Sequence, residues 1–380
     1  MISYKTSYKT KSIVNAFKKR TWEEKLVEDV QFTLFWTDVG WIYNFMDTCP
    51  LKKHQLVNHF RNNYELCKKD LMARNMKAYW KKMNFVDAII PQSFELKFLE
   101  FTAFCEVYKR KRDYIWIIKP AGKSQGKGIV IITKLAMVKE QQLNCKKQLE
   151  IYRKQRIDSN ELMEPDTFVV QHYINNPLLI GNRKFDIRLY VVVTSFQPLI
   201  VYIHEKGFCR FSQSFYSNDY SDLSIHATNV AIQKTQSNYD ASIGCKWNIN
   251  RLRVYLTATI GYLKTNELFI AIEQVILLSL FAVQHKIIQS SNCFELFGYD
   301  ILIDSHYKPW LIEVNASPSL SSENQEDLDI KTKVLSDMLD LLQLDKPVEQ
   351  VNGFHCIYNK SFITTQEEYQ STIGAASYNK

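Results

Sequence analysis

Residues 294–320, FELFGYDILIDSHYKPWLIEVNASPSL, constrain the fold more than any other stretch of the chain. Two apolar runs rich in β-branched and aromatic residues flank a short polar break at Ser305–Lys308. That pattern predicts a β-hairpin with a four-residue loop. Pairing Asp304 with Pro309 places Asp300 opposite Glu313, with Cβ atoms about 5 Å apart. Asn315, two residues beyond Glu313, shares that face. Tyr299, Ile301, Ile303, Ile312 and Val314 form the opposite, apolar face, and Leu302 and Leu311 lie beside the carboxylates. Two close, partly buried carboxylates repel each other. A hard cation removes that cost, and oxygen-only donors suit Mg²⁺. The alternative, an acid pair on a wet strand, is disfavoured by the apolar surroundings.

At 380 residues and 46% hydrophobic content, the chain has room for two or three domains and a substantial core. A net charge of +8 favours an acidic partner without choosing among nucleic acid, an anionic membrane and an acidic protein tail. The aromatics sit in apolar runs rather than beside Lys/Arg clusters, which argues against a base-stacking surface. Eight scattered cysteines show no C-x-x-C pair and no zinc spacing, so reduced thiols are expected. Residues 1–20 lack the apolar core of a secretory signal and carry six basic residues and no acid. A mobile basic tail is expected there. The most apolar window, Leu268–Ile288, contains Glu273, Gln284, His285 and Lys286, so it predicts a buried helix rather than a membrane span.

Strand patterns cover 113–118, 129–132, 168–174, 185–195 and 199–204, and helical patterns cover 63–82, 250–288 (two helices) and 326–344. Residues 139–166 are polar and charged and read as an exposed insertion, and the chain after Lys346 reads as an irregular tail. Lys68, Lys69, Arg74, Lys77, Lys81 and Lys82 would make the first helix a cationic surface. The mixture of hairpins and helices predicts an α+β fold with mixed or antiparallel sheets.

Four further features bear on chemistry. The turn AGKSQGKG, Ala121–Gly128, joins two strands and combines three glycines with two lysines. It departs from the P-loop spacing and suits either a flap over phosphates or an ordinary glycine hairpin. Lys119 closes an apolar strand, where a buried ammonium needs an anionic partner. Lys184, Asp186 and Arg188 alternate with Phe185, Ile187 and Leu189, a charged face for a polyanion or a solvated ladder. His226 and Asn229 in HATN form a weak signal alone.

Taken in order, these features resemble an ATP-grasp enzyme, in which two sheets clamp a nucleotide. The segments NHFRNNYELCKKDLM, WIIKPAGKSQGKGI, VVQHYINNPLLIGNRKFDIRLYVVV, GFCRFS, HATNVAIQK, GCKWN and ELFGYDILID…KPWLIEVNASPSL resemble the tubulin tyrosine ligase-like family from about Trp22 to Leu344. The short polyglutamylase branch is the most similar. The resemblance implies an N-terminal domain (1–67), a central domain with the flap (68–176), a C-terminal domain with the hairpin (177–345) and a polar tail (346–380). It implies ATP held by Lys69, Lys119, Gly126, Lys127, Gly128, Gln171, Tyr173, Ile174, Lys184 and Asp186. It implies Mg²⁺ on Asp300, Glu313 and Asn315, and Arg188, Arg210, His226 and Asn229 at the reacting groups. Ala227 stands where the family usually has Leu, a departure that removes no ligand. The implied reaction joins free glutamate to acidic tubulin tails through an acyl-phosphate. A glycine ligase and a non-catalytic microtubule-binding protein are the competing readings. Cytoplasmic, cytoskeletal and ciliary placement, and accessory subunits, are further implications.

Overall fold

The computed structural model describes residues 2–46, 48–85, 87–123, 126–155, 166–234, 246–344 and 353–360. Three sheets organise them. A small parallel sheet runs Glu23–Glu24, Ser3–Thr6, Leu34–Trp36, Leu56–Val57. An antiparallel sheet runs Ser93–Glu95, Phe168–His172, Trp116–Pro120, Val130–Ile132. The largest is built on the 14-residue strand Arg183–Phe196. On one side that strand pairs with Phe208–Phe211 and Leu199–His204, and on the other with Glu295–Ile303 of the hairpin.

Alternation along Arg183–Phe196 sorts its environment. Phe185, Ile187, Leu189, Val191 and Val193 enter a core shared with the helix Tyr262–Val283 through Leu268, Ile272, Ile276 and Leu280. The opposite face carries Lys184, Asp186 and Arg188, then becomes apolar at Tyr190 and Val192. The change falls where the helices Lys11–Lys18 and Gln325–Leu341 begin to cover that face, with Ile13, Phe17, Val334 and Met338 in the same cluster. The uncovered, charged part of the face is one wall of a cleft.

The hairpin itself departs from its expected register. Ile303 pairs with Pro309, Leu302 with Trp310 and Ile301 with Leu311, so Asp304–Lys308 form a five-residue connection. Asp304 shapes it: Oδ1 accepts from the amides of His306 (2.8 Å) and Lys308 (3.0 Å), and Oδ2 accepts from Trp310 Nε1 (2.9 Å). A bulge at Ile312 then restores the pairing of Asp300 with Glu313 and Gly298 with Asn315. The extra residue reverses two side chains. Leu311 enters the core with no exposure, and Ile312 faces the cleft beside Leu302.

Four other expectations are corrected. Residues 1–20 are no mobile tail, since Ser3–Thr6 lies inside the parallel sheet and Lys11–Lys18 is a helix burying Ile13, Ala16 and Phe17. The cationic count hid this because Lys11 and Lys18 bound a helix whose other face buries Ile13, Ala16 and Phe17, while Lys5 is itself buried in its strand. Most of 139–166 belongs to the helix Leu135–Gln155, and 156–165 lie outside the described residues. In the segment read as an irregular tail, Phe354–Lys360 forms a strand on Leu199–His204 that buries Phe354 and Tyr358. The cationic helix is partly neutralised, because Arg74 pairs with Glu95 (2.8 Å) and Lys77 with Glu100 (2.9 Å).

Candidate active site

The antiparallel sheet and the large sheet face each other across a cleft of about 860 Å³, its open mouth included. Its apolar lining comes from both sides: Ile117, Ile129 and Ile174 from one, Ile232, Leu302 and Ile312 from the other. Lys69, Lys119, Gly126, Gln171, Tyr173, Lys184, Asp186, Arg210, His226, Asn229, Asp300 and Glu313 also line it. Arg188 and Asn315 line an adjoining cavity that shares Arg210, Asn229 and Glu313. Lys127 and Gly128 are exposed and lie on neither wall. Of the flap, Ser124 and Gln125 lie outside the described residues; Gly126 and Gly128 have φ of 72° and 73°, which side chains resist.

Sheet pairing places the charges in rows. Asp186 lies opposite Arg210, Arg188 opposite Asp300, and Asp300 opposite Glu313. Such directly opposed residues touch. Arg210 donates to both Asp186 oxygens and reaches Asp300 Oδ2 at 2.8 Å. Arg188 grips Asp300 with two hydrogen bonds. Burial alone would raise the Asp300 carboxyl, but Arg188 and Arg210 overcome it and hold the group well below the usual carboxylate range. Glu313 faces Lys69 at 3.3 Å.

Lys119 and Lys184 are buried differently. Lys119 donates to Gln171 Oε1 (2.7 Å), its diagonal neighbour across the strands, and Gln171 Nε2 donates to Ser93 Oγ (2.9 Å). Lys184 donates to the Tyr173 hydroxyl (3.0 Å) and the His226 carbonyl (2.8 Å). These partners are neutral. Burial, reinforced by the neighbouring Lys69 ammonium, lowers Lys119 to about 8; burial and Lys119 lower Lys184 to about 7. Two cations thus line the cleft with neutral acceptors in place of bonded carboxylates.

His226 is fully engaged. Its Nε2 lies 2.8 Å from the Asp219 carbonyl, which can only accept, so Nε2 carries the proton. Nδ1 then accepts from the Tyr173 hydroxyl (2.9 Å). Burial pushes the imidazole below its ordinary value, in keeping with a neutral ring. The histidine orients Tyr173 and Lys184 and turns no free nitrogen to the cleft.

Sequence reasoning placed Leu302 beside the carboxylates, where it lines the cleft, but missed the apolar lining residues Ile117, Ile129 and Ile312. A Val/Ile-rich strand carries no mark of which face meets a ligand. It also missed Glu295, which sits on the first residue of its strand with no exposure.

The model of the tubulin-tyrosine ligase family matches residues 46–351. The chain belongs to this family. It is 38% identical over 353 residues to a probable tubulin polyglutamylase, ttll-9, of Caenorhabditis elegans, covering 90% of this chain and 81% of the relative. It is 38% identical over 370 residues to a probable alpha-tubulin polyglutamylase, Ttll1, of Tetrahymena thermophila, covering 90% and 86%. With the human tubulin polyglutamylase TTLL5 it shares 34% identity over 312 residues, 76% of this chain but 22% of that one. The architecture is therefore the α+β, ATP-grasp-like fold of a ligase family, as the sequence led one to expect.

Proposed function

We propose that this chain is an ATP-dependent ligase that adds glutamate to acidic tubulin tails through an acyl-phosphate. The observation that carries the reading is the pair of buried lysines held by neutral partners, set opposite a carboxylate pair in an apolar-lined cleft. A nucleotide supplies what each part lacks. Its phosphates bring negative charge to Lys119 and Lys184, and its base fits the apolar lining of Ile117, Ile174, Leu302 and Ile312, with Gln171 and Tyr173 at the edge. Lys69, Asp186 and Gly126 border the same space.

Asp300, Glu313 and the Asn315 amide oxygen would hold Mg²⁺. The set is all oxygen, and Asn315 Nδ2 turns toward Glu313 and the Gly298 carbonyl. Two carboxylates suit an ion that keeps substrate phosphates in its shell. Bound there, the ion would neutralise charge on the transferred phosphoryl group. Arg210 and Arg188 stand beside Asp300, where they can stabilise the activated carboxylate. Asn229 borders both cavities, within reach of nucleotide and acceptor.

The relatives named as tubulin polyglutamylases support tubulin as acceptor and glutamate as the added residue; the +8 charge suits an acidic tail. The test is mass spectrometry of tubulin incubated with the protein, ATP, Mg²⁺ and either glutamate or glycine. Glutamate adducts support the reading; glycine adducts alone replace it with a glycine ligase. Glu313→Gln should abolish adducts with an unchanged melting temperature. Near-normal activity in that variant would refute the metal assignment.

A further inference from the structure

A buried polar cluster lies beside the hairpin, outside the lining of the nucleotide cleft. Glu295 Oε1 lies 2.6 Å from His59 Nδ1, and its other oxygen accepts the Phe60 amide at 2.7 Å. Asn63 Nδ2 adds contacts at 3.2 and 3.3 Å. His59 Nε2 lies 3.3 Å from Ser317 Oγ. Glu295 and His59 are both buried, 0% and 1% exposed, whereas Ser317 is exposed. Ser317 lies on the wall of two cavities that it shares with Glu313 and Asn315.

The proton positions follow from the partners. A carboxylate accepts, so His59 Nδ1 carries the proton. The Asn58 amide is oriented by Thr37: its Oδ1 accepts the Thr37 amide (2.8 Å) and its Nδ2 donates to the Thr37 carbonyl (3.1 Å). Asn58 Nδ2 also faces His59 Nε2 at 3.2 Å, so Nε2 is an acceptor. Ser317 therefore turns its hydroxyl proton toward the ring, and its lone pairs are left for the cavity. Gly298 permits this approach. A Cβ there would stand 2.8 Å from Pro318 and 3.4 Å from Arg188 Cδ, blocking the loop that brings Ser317 in.

We propose that Ser317, His59 and Glu295 form a proton relay that serves the incoming amino group. The proposal rests on the ligase reading above. The amino group arrives as an ammonium and must lose one proton before it can attack. That proton passes to Ser317 Oγ as the hydroxyl proton passes to His59 Nε2. The neutral nitrogen then bonds to the carbonyl carbon, the carbon–oxygen bond to phosphate breaks with its electron pair on phosphate, and the departing phosphate takes the second proton. Glu295 stabilises the resulting imidazolium, which offsets loss of the Asn58 contact. Ser317 is the catalytic residue here; His59 and Glu295 act through it. The arrangement is an acid–histidine–serine line with serine as a conduit rather than a nucleophile.

The test compares two nucleophiles. Free glutamate must lose a proton to react, whereas hydroxylamine is already neutral at physiological pH and traps an acyl-phosphate as a hydroxamate without a base. Wild type, Ser317→Ala, Ser317→Thr and His59→Gln are assayed on tubulin with ATP and each nucleophile. Ser317→Ala should lose about 100-fold in glutamate ligation, the usual scale for general-base assistance. Its hydroxamate formation should equal that of wild type, and Ser317→Thr should recover ligation. His59→Gln should show the same selective loss; a uniform loss in that variant alone reflects misfolding, and Ser317→Ala, altered at an exposed position, then decides. Parallel loss of both reactions in Ser317→Ala, or full ligation by it, overturns the relay. A wild-type chain that forms hydroxamate but never ligates glutamate overturns the glutamate reading instead. A wild type inactive with both nucleophiles overturns the ligase reading and the relay together.

Discussion

Lys119 and Lys184 show how burial can prepare a site for its substrate. Each ammonium has left water for neutral acceptors, and the desolvation cost appears as values lowered to about 8 and about 7. A polyphosphate placed beside them favours their charged forms. The sign of the pH effect follows by linkage. A ligand that raises a group's pKa binds the protonated form better, so its advantage is complete below the free-state value and fades above it. ATP affinity should therefore be greatest below pH 7 and weaken as pH rises through 7 to 8 and beyond. Binding near neutral pH, between those two values, should take up protons. Calorimetry in two buffers of different ionisation enthalpy measures that uptake directly; identical heats would show that both lysines are charged before ATP arrives. Lys119 was legible in the sequence because a charged residue ended an apolar strand. The lowered values come first from burial, with Lys69 beside Lys119 and Lys119 beside Lys184 adding to it, and no local pattern records those approaches.

At the scale of the hairpin, the pairing of Asp300 with Glu313 was legible although the loop was not. The expected four-residue loop and the observed five-residue connection differ by one, and the bulge at Ile312 compensates by one. Alternation alone cannot reveal a bulge, because it is set by how the strand bends over its neighbours. The difference is testable. Leu311→Ala should cost about 2–5 kcal/mol of stability, as for any large aliphatic side chain removed from a packed core. Ile312→Ala should leave the melting temperature close to wild type and raise the KM for ATP, because its side chain lines the cleft. The reverse pattern would mean a regular hairpin with Leu311 facing the nucleotide. The charged strand Arg183–Phe196 makes a related point. Its alternation was plain, but whether Lys184, Asp186 and Arg188 met solvent or a cleft depended on where two distant helices stop.

Across the whole molecule, the first helix is tied to the helix that follows the hairpin. The helix Lys11–Lys18 packs on Gln325–Leu341; Ser12 Oγ donates to the Leu320 carbonyl (2.7 Å), and Arg20 reaches Asp340 (2.7 Å). The first strand lies inside the N-terminal sheet, between Glu23–Glu24 and Leu34–Trp36. Removing residues 1–20 should therefore lower the melting temperature markedly or abolish soluble expression, where loss of a mobile tail would change neither. The sequence by itself determined the α+β class, the strands Trp116–Pro120, Phe168–His172 and Arg183–Phe196, the hairpin that carries Asp300 and Glu313, and the residue types gathered at the candidate site. Those are short-range properties, written in apolar periodicity and in motifs a few residues long. Tertiary structure alone decided that Arg188 and Arg210 meet Asp300 and Asp186, which apolar residues of the other strands line the nucleotide space, and how His59 and Glu295 come under Ser317. These contacts join residues 236 and 258 positions apart. Their geometry is set by sheet pairing and by helices closing over a sheet face, and neither leaves a local trace.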